Sequence, residues 1–247
     1  MAANDARFNI DIYSSSVSRR RFLSGASATL AIGAVTGCSS TSDTLGLAPA
    51  QSVTPAIPRI DPATAYAARL DTEVSLPAFD YTKMDPKYLR QWVKFRSRQK
   101  PGTIIVDSSG PYLYLVQGNN QAVRYGIAVG KEGYAWYGDA VMKWKQKWPT
   151  WTPPPEMIAR SPELKEFEDG MPAGVSNPLG ARALYLFKDG RDTLFRVHGT
   201  NRPFSIGKAA SSGCFRMINQ DVIDLYGRVP PGSLVYVKPN IDIERGV

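Results

Sequence analysis

Histidine and cysteine are scarce in this chain of 247 residues, which contains one histidine, His198, and two cysteines, Cys38 and Cys214. A zinc site takes three or four protein ligands. One histidine and one nearby cysteine cannot supply them, so we predict no metal site and no cofactor. A redox role for Cys214 would need a resolving cysteine, and none lies near it in the sequence.

Acidic residues are fewer than basic ones, with 22 Asp and Glu against 30 Lys and Arg, which gives a net charge of +8. The basic residues form no block interleaved with aromatic residues, as a nucleic-acid surface would require. We therefore predict no nucleic-acid partner. The charge favours attraction to an anionic polymer or to a membrane face.

The N-terminal residues 1–37 have the pattern of an export signal. An arginine pair, Arg20 and Arg21, precedes an apolar run over residues 26–35 that is too short to span a bilayer. The pair is followed by Phe and Leu and resembles a twin-arginine signal, with a Sec-type signal as the alternative.

The four residues that end at Cys38, with the sequence VTGC, resemble the lipobox of bacterial lipoproteins. We predict that Cys38 is lipidated and holds an exported, periplasmic protein to a membrane of the cell envelope. The alternative is an ordinary cleavage site beside a bystander cysteine. If Cys38 carries lipid, the chain has no other cysteine for a disulfide with Cys214, although the compartment is oxidising.

The rest of the chain divides into three predicted parts. Residues 38–83 are rich in Ser, Thr, Ala and Pro at their start and are predicted to form a flexible tether. Asp85 and Pro86 have the pattern of a helix N-terminus, which predicts a helix at the domain edge within residues 84–100. Residues 101–247 are predicted to be the folded domain.

Short runs rich in β-branched and aromatic residues, separated by turn residues, predict a mainly β domain with an antiparallel sheet. The runs are 103–107, 112–116, 122–129, 183–187, 193–197 and 233–237. One helix is predicted between the last two runs. Asn219 is its expected cap, and an apolar stripe ends before Pro230.

The segment from 134 to 177 is predicted to be a long insertion rich in aromatic residues and proline. Trp148 and Trp151 flank a proline-rich run in it. Long loops inside compact domains are often functional, so these two tryptophans are candidates for a flap over a substrate. The alternative is that they fill the core.

The loop between His198 and Cys214 is the predicted reactive site. Histidine activates a cysteine by taking its proton and by stabilising the thiolate as an imidazolium. A third group must fix the tautomer of the imidazole, and residues 197–217 contain no Asp or Glu. A backbone carbonyl must then serve, and that of Gly199 is the candidate.

Residues close to Cys214 are candidates for binding the substrate. Ser212 and Gly213 favour a tight turn whose backbone N–H groups stabilise an oxyanion. Arg216 either binds a carboxylate through two hydrogen bonds or braces the loop through backbone carbonyls. Asn201 is a further candidate contact in the same loop.

Three motifs resemble the active-site signature of the L,D-transpeptidases with a YkuD-type catalytic domain. They are His198-Gly199-Thr200, Ser205-Ile206-Gly207 and the run SSGCFRM over residues 211–217. The resemblance implies a β-sandwich-like domain with one or two short helices. It also implies that Cys214 is the nucleophile, that His198 is its base, that the Gly199 carbonyl orients His198, and that backbone amides around Gly213 hold the oxyanion.

The function implied by the resemblance is acyl transfer on peptidoglycan stem tetrapeptides through a thioester on Cys214. The acceptor would be an amine of a neighbouring stem, which gives a 3,3 cross-link, or a lysine of an envelope protein. Transfer to water would make the protein an L,D-carboxypeptidase or another hydrolase. A different alternative is a non-catalytic lipoprotein that binds peptidoglycan.

Overall fold

The computed structural model describes residues 56–130, 136–211 and 213–238. Its strands are β1 (Arg69–Asp71), β2 (Val74–Leu76), β3 (Gln91–Lys94), β4 (Ile104–Asp107), β5 (Tyr112–Gly118), β6 (Gln121–Gly126), β7 (Val129–Gly130), β8 (Gly138–Lys147), β9 (Arg182–Lys188), β10 (Arg191–His198), β11 (Ala209–Ser211), β12 (Phe215–Arg216) and β13 (Ser233–Val237). Its α-helices are α1 (Pro62–Ala65), α2 (Pro155–Arg160) and α3 (Asn219–Arg228). The mainly β prediction is confirmed. Within the described ranges no helix is long and apolar enough to cross a bilayer.

The main sheet has nine strands in the order β12-β10-β9-β8-β13-β4-β5-β6-β3. Neighbouring strands in this sheet are antiparallel except for the pairs β10/β12 and β13/β4, which are parallel. Ala128, just after β6, exchanges two backbone hydrogen bonds of 2.9 Å with Arg216 of β12, near the opposite end of the strand order. The sheet therefore curls until its ends meet, which gives the sandwich-like form and encloses the core.

Two sets of side chains fill the interior. The larger core takes residues from most of the main sheet, such as Leu113, Leu184 and Phe215, together with Val222 and Leu225 of α3. Alternate residues of each strand point into this core, as expected for a sheet with one buried face. The smaller core lies under the segment that precedes the sheet and includes Tyr66, Phe79 and Leu89.

The predicted tether over 38–83 is wrong for residues 56–83, which pack on the domain. Tyr66 and Leu76 are almost fully buried there. Asp71 makes two hydrogen bonds, of 2.6 and 2.8 Å, to the guanidinium of Arg182 on β9. The apolar residues of this segment are irregularly spaced, so they show no helical or strand period and their burial gives no periodic signal in the sequence.

The predicted helix within residues 84–100 is also wrong. Asp85 does cap a turn, accepting a hydrogen bond of 3.0 Å from the Lys87 N–H, but that turn is a short 3₁₀ segment, Pro86–Tyr88. The chain then enters β3, which pairs with β6 and forms the end of the main sheet. Pairing with a sheet edge satisfies backbone groups over several residues and here overrides the local helical spacing.

The insertion predicted over residues 134–177 contains β8, a ten-residue strand at the middle of the main sheet. The register between β8 and β9 shifts between Met142 and Trp144. This bulge reverses the inward and outward alternation within the strand, which removes the period-two pattern that identifies strands in a sequence.

Helix α3 lies where the sequence predicts it, but Asn219 is not its cap. The residue at the cap position is Ile218, and its side chain makes no capping hydrogen bond. The Asn219 amide points into the protein instead, where its oxygen accepts from the N–H groups of Ala181 (2.9 Å) and Thr200 (3.2 Å). Its amide nitrogen donates to the Thr200 carbonyl at 3.0 Å.

A buried polar network joins the segment before the sheet to α3. The Arg90 guanidinium contacts Asp224 at 2.8 Å and Asp221 at 3.7 Å. The Tyr66 hydroxyl donates to Asp221 at 3.1 Å. Burial raises the pKa of Asp221 to about 7, with the Arg90 charge acting against this rise. The Asp224 pKa lies below its ordinary value, because hydrogen bonds from Arg228 and Tyr125 outweigh the effect of burial.

We predict that the contribution of Asp221 to the free energy of unfolding falls as the pH rises. Its folded-state pKa of about 7 exceeds its ordinary unfolded value near 4. The folded protein therefore keeps a proton that the unfolded chain releases, and this contribution is present below about pH 4 and lost towards pH 7. Urea unfolding of wild type and Asp221→Asn should show the variant gaining relative stability over this range. Asp224→Asn should show the opposite trend at lower pH: it should lose relative stability as the pH rises towards about 4, because the folded-state pKa of Asp224 is lowered. A pH-independent difference for Asp221→Asn would contradict the prediction.

Candidate active site

The ends of two neighbouring strands bring the histidine and the cysteine together. Val197 on β10 pairs with Phe215 on β12, and both side chains are buried in the core. His198 follows Val197, and Cys214 precedes Phe215. Since side chains alternate along a strand, His198 and Cys214 project from the sheet face opposite to the core.

A cavity of about 490 Å³ lies over this face of the sheet. Five of the residues predicted for the site line it, namely Trp151, His198, Asn201, Cys214 and Arg216. The other lining residues are Pro154, Met157, Leu164, Phe167, Met171, Ser176, Pro178, Leu179, Leu194 and Arg202. Of the remaining predicted residues, Cys38 and Ser212 lie outside the described ranges.

His198 is held by the residue that follows it. Its Nδ1 lies 2.7 Å from the Gly199 carbonyl oxygen. A carbonyl only accepts, so Nδ1 carries the proton, and in the neutral ring Nε2 is the nitrogen that accepts one. The pKa of His198 is lowered to about 4, mainly by burial and also by the charge of Arg216, while hydrogen bonds to the backbone of Gly199 and Leu179 act in the opposite direction.

The Cys214 thiol is half-buried, and its Sγ lies 3.8 Å from the Leu194 carbonyl oxygen. Burial raises the pKa of this thiol, while the Arg196 backbone and the charges of Arg196 and Arg216 act to lower it. With a raised thiol pKa and a lowered imidazole pKa, both groups are neutral near pH 7. The resting pair is therefore a thiol and an imidazole, and not the thiolate and imidazolium that the sequence analysis considered.

Gly199 and Gly213 both occupy positions that other residues fit poorly. A side chain at Gly199 would collide with the Asn219 amide oxygen and approach the Ala181 nitrogen. Gly213 is buried and has a φ of +112°, in the region that favours glycine. The first glycine lets the chain after His198 pass against α3, and the second lets it turn into Cys214.

Arg216 braces the loop, which was one of the two roles considered for it. Its Nη1 donates to the Ala210 carbonyl at 2.8 Å. The residue also lines the cavity, where burial and the positive charge of Arg202 lower the pKa of its guanidinium. Two arginines therefore face one cavity close enough to repel each other, which favours an anionic ligand between them.

The two tryptophans that were predicted to form a flap lie in different surroundings. Trp151 lines the cavity and exchanges backbone hydrogen bonds with Met171 at 2.6 and 3.1 Å. Trp148 is 8% exposed and belongs to the larger core, where its indole N–H donates to Asp71 at 2.8 Å. The flap role is wrong for Trp148, because a buried indole that anchors the preceding segment cannot also cover a substrate.

The insertion covers the cavity with apolar side chains. Met157 on α2, and Leu164 and Phe167 on the 3₁₀ segment Pro162–Phe167, form this wall. Asn201 joins the His198 loop to the insertion, because its amide donates to the Ser176 carbonyl at 2.7 Å. The cavity thus has an apolar wall and a basic rim.

Sequence reasoning missed Arg196, Arg202 and Leu194. Arg196 precedes His198 by two residues on a strand, so period-two spacing places it on the same face and could have identified it. Leu194 is 76% exposed, and its φ of +64° is unusual for a residue with a side chain. It lies in the irregular stretch of β10 between Asp192 and Arg196, which has no signature in the sequence.

Fold and site together define a mainly β domain that brings a cysteine and a histidine to one cavity at the end of its sheet. The YkuD family model, described as the L,D-transpeptidase catalytic domain, matches residues 101–237. This match covers more than half of the chain, and the protein belongs to that family.

Relatives in bacteria match this chain over part of their own length. Escherichia coli K12 proteins described as the probable L,D-transpeptidases YbiS and ErfK/SrfK are each 36% identical, over 140 and 141 residues. The matches cover 53% and 54% of this chain and 43% of each relative, so the chain spans less than half of their length.

A solved Brucella melitensis structure, described as a probable carnitine operon oxidoreductase, is 50% identical over 61% of this chain and 94% of that chain. Its TM-score is 0.44.

We predict that the rate at which Cys214 is alkylated increases with pH through neutrality and does not reach a plateau there. Only the thiolate is alkylated rapidly, so the rate with iodoacetamide should rise steadily between about pH 5 and 8. The measurement is intact mass in a Cys38→Ala background, where the label reports Cys214. His198→Ala should leave the shape of the profile unchanged. A flat, fast rate across this range would instead reveal a preformed thiolate.

We predict that Asn219→Ala destabilises the protein by about 2 to 4 kcal/mol, because it removes three hydrogen bonds and leaves buried backbone groups unpaired. The matched control is Asn201→Ala, which removes one bond from an exposed amide and should cost less than about 1 kcal/mol. Urea unfolding measures both. Equal losses would show that the Asn219 amide has no special part in holding the loops.

Proposed function

We propose that this protein is an L,D-transpeptidase that acts on peptidoglycan stem tetrapeptides through a thioester on Cys214. The observation that carries the proposal is the shared cavity of Cys214 and His198, with the His198 tautomer fixed by the Gly199 carbonyl at 2.7 Å. This arrangement leaves Nε2 as the base for the thiol, as nucleophilic catalysis by cysteine requires.

The thiol proton is transferred as bonds to the substrate carbonyl carbon form and break. Sγ attacks the carbonyl carbon of the third stem residue, and Nε2 takes the thiol proton. The bond from that carbon to the nitrogen of the terminal D-alanine then breaks, and the leaving nitrogen takes the proton from His198. The acceptor amine then attacks the thioester carbon and loses a proton. The bond from this carbon to sulfur breaks, and Cys214 returns to the thiol.

The substrate must also stabilise the charge that this transfer creates. An imidazolium at His198 is opposed by burial and by the charge of Arg216. A substrate carboxylate beside Arg202 and Arg216 would offset that positive charge and favour the imidazolium. A bound carboxylate-bearing peptide would thus make His198 a stronger base for the thiol proton.

The apolar wall favours transfer to an amine over transfer to water. Met157, Leu164 and Phe167 face the cavity that contains Cys214. Such a wall limits the access of water to a thioester, whereas an acceptor brings its own binding energy to displace that water. The acceptor is a diamino acid of a neighbouring stem, which gives a 3,3 cross-link, or a lysine of an envelope protein.

The place of action follows from the N-terminal pattern. Export through the signal over residues 1–37, followed by lipidation of Cys38, would hold the domain at a membrane beside peptidoglycan. Residues 38–247 keep a net charge of +6, which would favour contact with the anionic cell wall.

The test is product analysis with purified tetrapeptide muropeptides. Wild type should give 3,3-linked dimers. Cys214→Ala should lose about a thousandfold or more of the rate, and His198→Ala about a hundredfold or more. Cys38→Ala changes the other cysteine and should keep full activity on this soluble substrate. Tripeptide without dimers would identify a hydrolase, and binding without any product would identify a non-catalytic binding protein.

A further inference from the structure

A row of side chains crosses the main sheet and ends at Cys214. Trp144 on β8 pairs with Tyr185 on β9, and Tyr185 pairs with Arg196 on β10. The next residue of β10, Val197, pairs with Phe215, so Arg196 lies beside Cys214. Opposed residues of neighbouring strands point to the same face, so the whole row lies on the face that carries the thiol.

The members of the row are stacked on one another. The Trp144 and Tyr185 rings are parallel within 8°, with centroids 3.6 Å apart. The Arg196 guanidinium lies 4.5 Å from the Tyr185 centroid. Asp192 accepts two hydrogen bonds of 2.7 Å from that guanidinium. These contacts restrict the side-chain rotamers, so the row presents a fixed surface.

The outer end of the row is exposed and widens into an apolar patch. Trp144 is 43% exposed, Val141 is 36% exposed, and Leu234, which pairs with Val141, is 48% exposed. Lys143, on the bulge of β8, extends its ammonium over the Phe187 ring beside them. An aromatic patch with cationic flanks that reaches a nucleophile is a candidate binding surface.

The spacing of the row indicates which part of the proposed substrate it fits. Neighbouring strands are about 4.8 Å apart, so three strand spacings place Trp144 about 14 Å from Cys214. In a stem peptide the third residue is attacked, and three extended residues reach about 10 to 11 Å. The short link between peptide and sugar adds to this length. A sugar ring at Trp144 would therefore place the reacting carbonyl at Cys214.

The chemistry of the surface agrees with a sugar and a peptide bound side by side. The C–H faces of a sugar ring pack on an aromatic ring, and its hydroxyl groups remain in water at an exposed site. Arg196, between the aromatic pair and Cys214, is held by two hydrogen bonds to Asp192 and keeps this part of the surface rigid beside the peptide. Among the described residues that line the cavity over His198, none offers a comparably exposed ring to a saccharide, because that wall is aliphatic apart from half-buried Trp151 and Phe167.

We propose that Trp144, with the Val141 and Leu234 surface beside it, binds the amino-sugar ring that bears the stem peptide and so positions the donor on Cys214. This rests on the proposed function. The proposed subsite is built into the face of the catalytic sheet.

The test compares two donors with the full chain: a disaccharide tetrapeptide and the same tetrapeptide without sugar. Trp144→Ala should lower kcat/KM for the disaccharide donor about tenfold, which corresponds to about 1.4 kcal/mol. It should leave kcat/KM for the sugar-free donor unchanged. The ratio of the two values does not depend on the fraction of folded enzyme, so modest destabilisation does not affect it. Tyr137→Ala is the control, because Tyr137 is 51% exposed and lies outside the row.

An equal fall with both donors would overturn the proposal, since it would show that Trp144 only braces Arg196 and Cys214. No fall with either donor would overturn it as well. A second arm needs no turnover: the disaccharide without peptide is titrated onto Cys214→Ala and onto Cys214→Ala with Trp144→Ala, and binding should be lost in the second protein. If wild type is inactive on both donors while this binding difference persists, the proposed reaction fails and the saccharide subsite stands.

Discussion

The site depends on one buried amide. Asn219, at the start of α3, bonds to Ala181 on one side and to Thr200 on the other. These bonds hold the two loops that pass Gly180 and Gly199, both of which lie too close to Asn219 to accept a side chain. The Gly199 carbonyl that fixes His198 is part of this packing. The orientation of the imidazole is therefore set by α3, which contributes no side chain to the cavity lining.

Charge is the second constraint, and its distribution is uneven. The described cavity lining has two arginines and no carboxylate, and its histidine and cysteine are both neutral at rest. An anionic ligand bound between the two arginines would oppose the positive charge of Arg216, which lowers the pKa of both His198 and Cys214. It would make His198 a stronger base and would also raise the thiol pKa, so both groups respond to what binds in the cavity.

The sequence predicts the parts of this protein in which local pattern and function coincide. The His198 and Cys214 loop, most strands and α3 could be placed, because their residue types are specific or their period is regular. The strand β8 could not, since a bulge near Trp144 breaks its alternation. The helix expected over 84–100 became β3 because an edge of the sheet was available. Contacts between distant segments, such as Asp71 with Arg182, leave no local pattern, so the packing of residues 56–83 was missed.

The protonated resting state also bears on the difficulty that a cysteine would present in an oxidising compartment, if the protein is exported as proposed. Oxidants and disulfides react with the thiolate, so a thiol with a raised pKa is attacked slowly. Burial raises the pKa of Cys214, and the low pKa of His198 keeps the imidazole from acting as a positive neighbour. A substrate carboxylate that offsets the Arg216 charge would raise the His198 pKa and strengthen the base that takes the thiol proton. Slow oxidation of the resting thiol and its deprotonation by His198 in the complex are then compatible, because the first depends on the free protein and the second on the bound carboxylate.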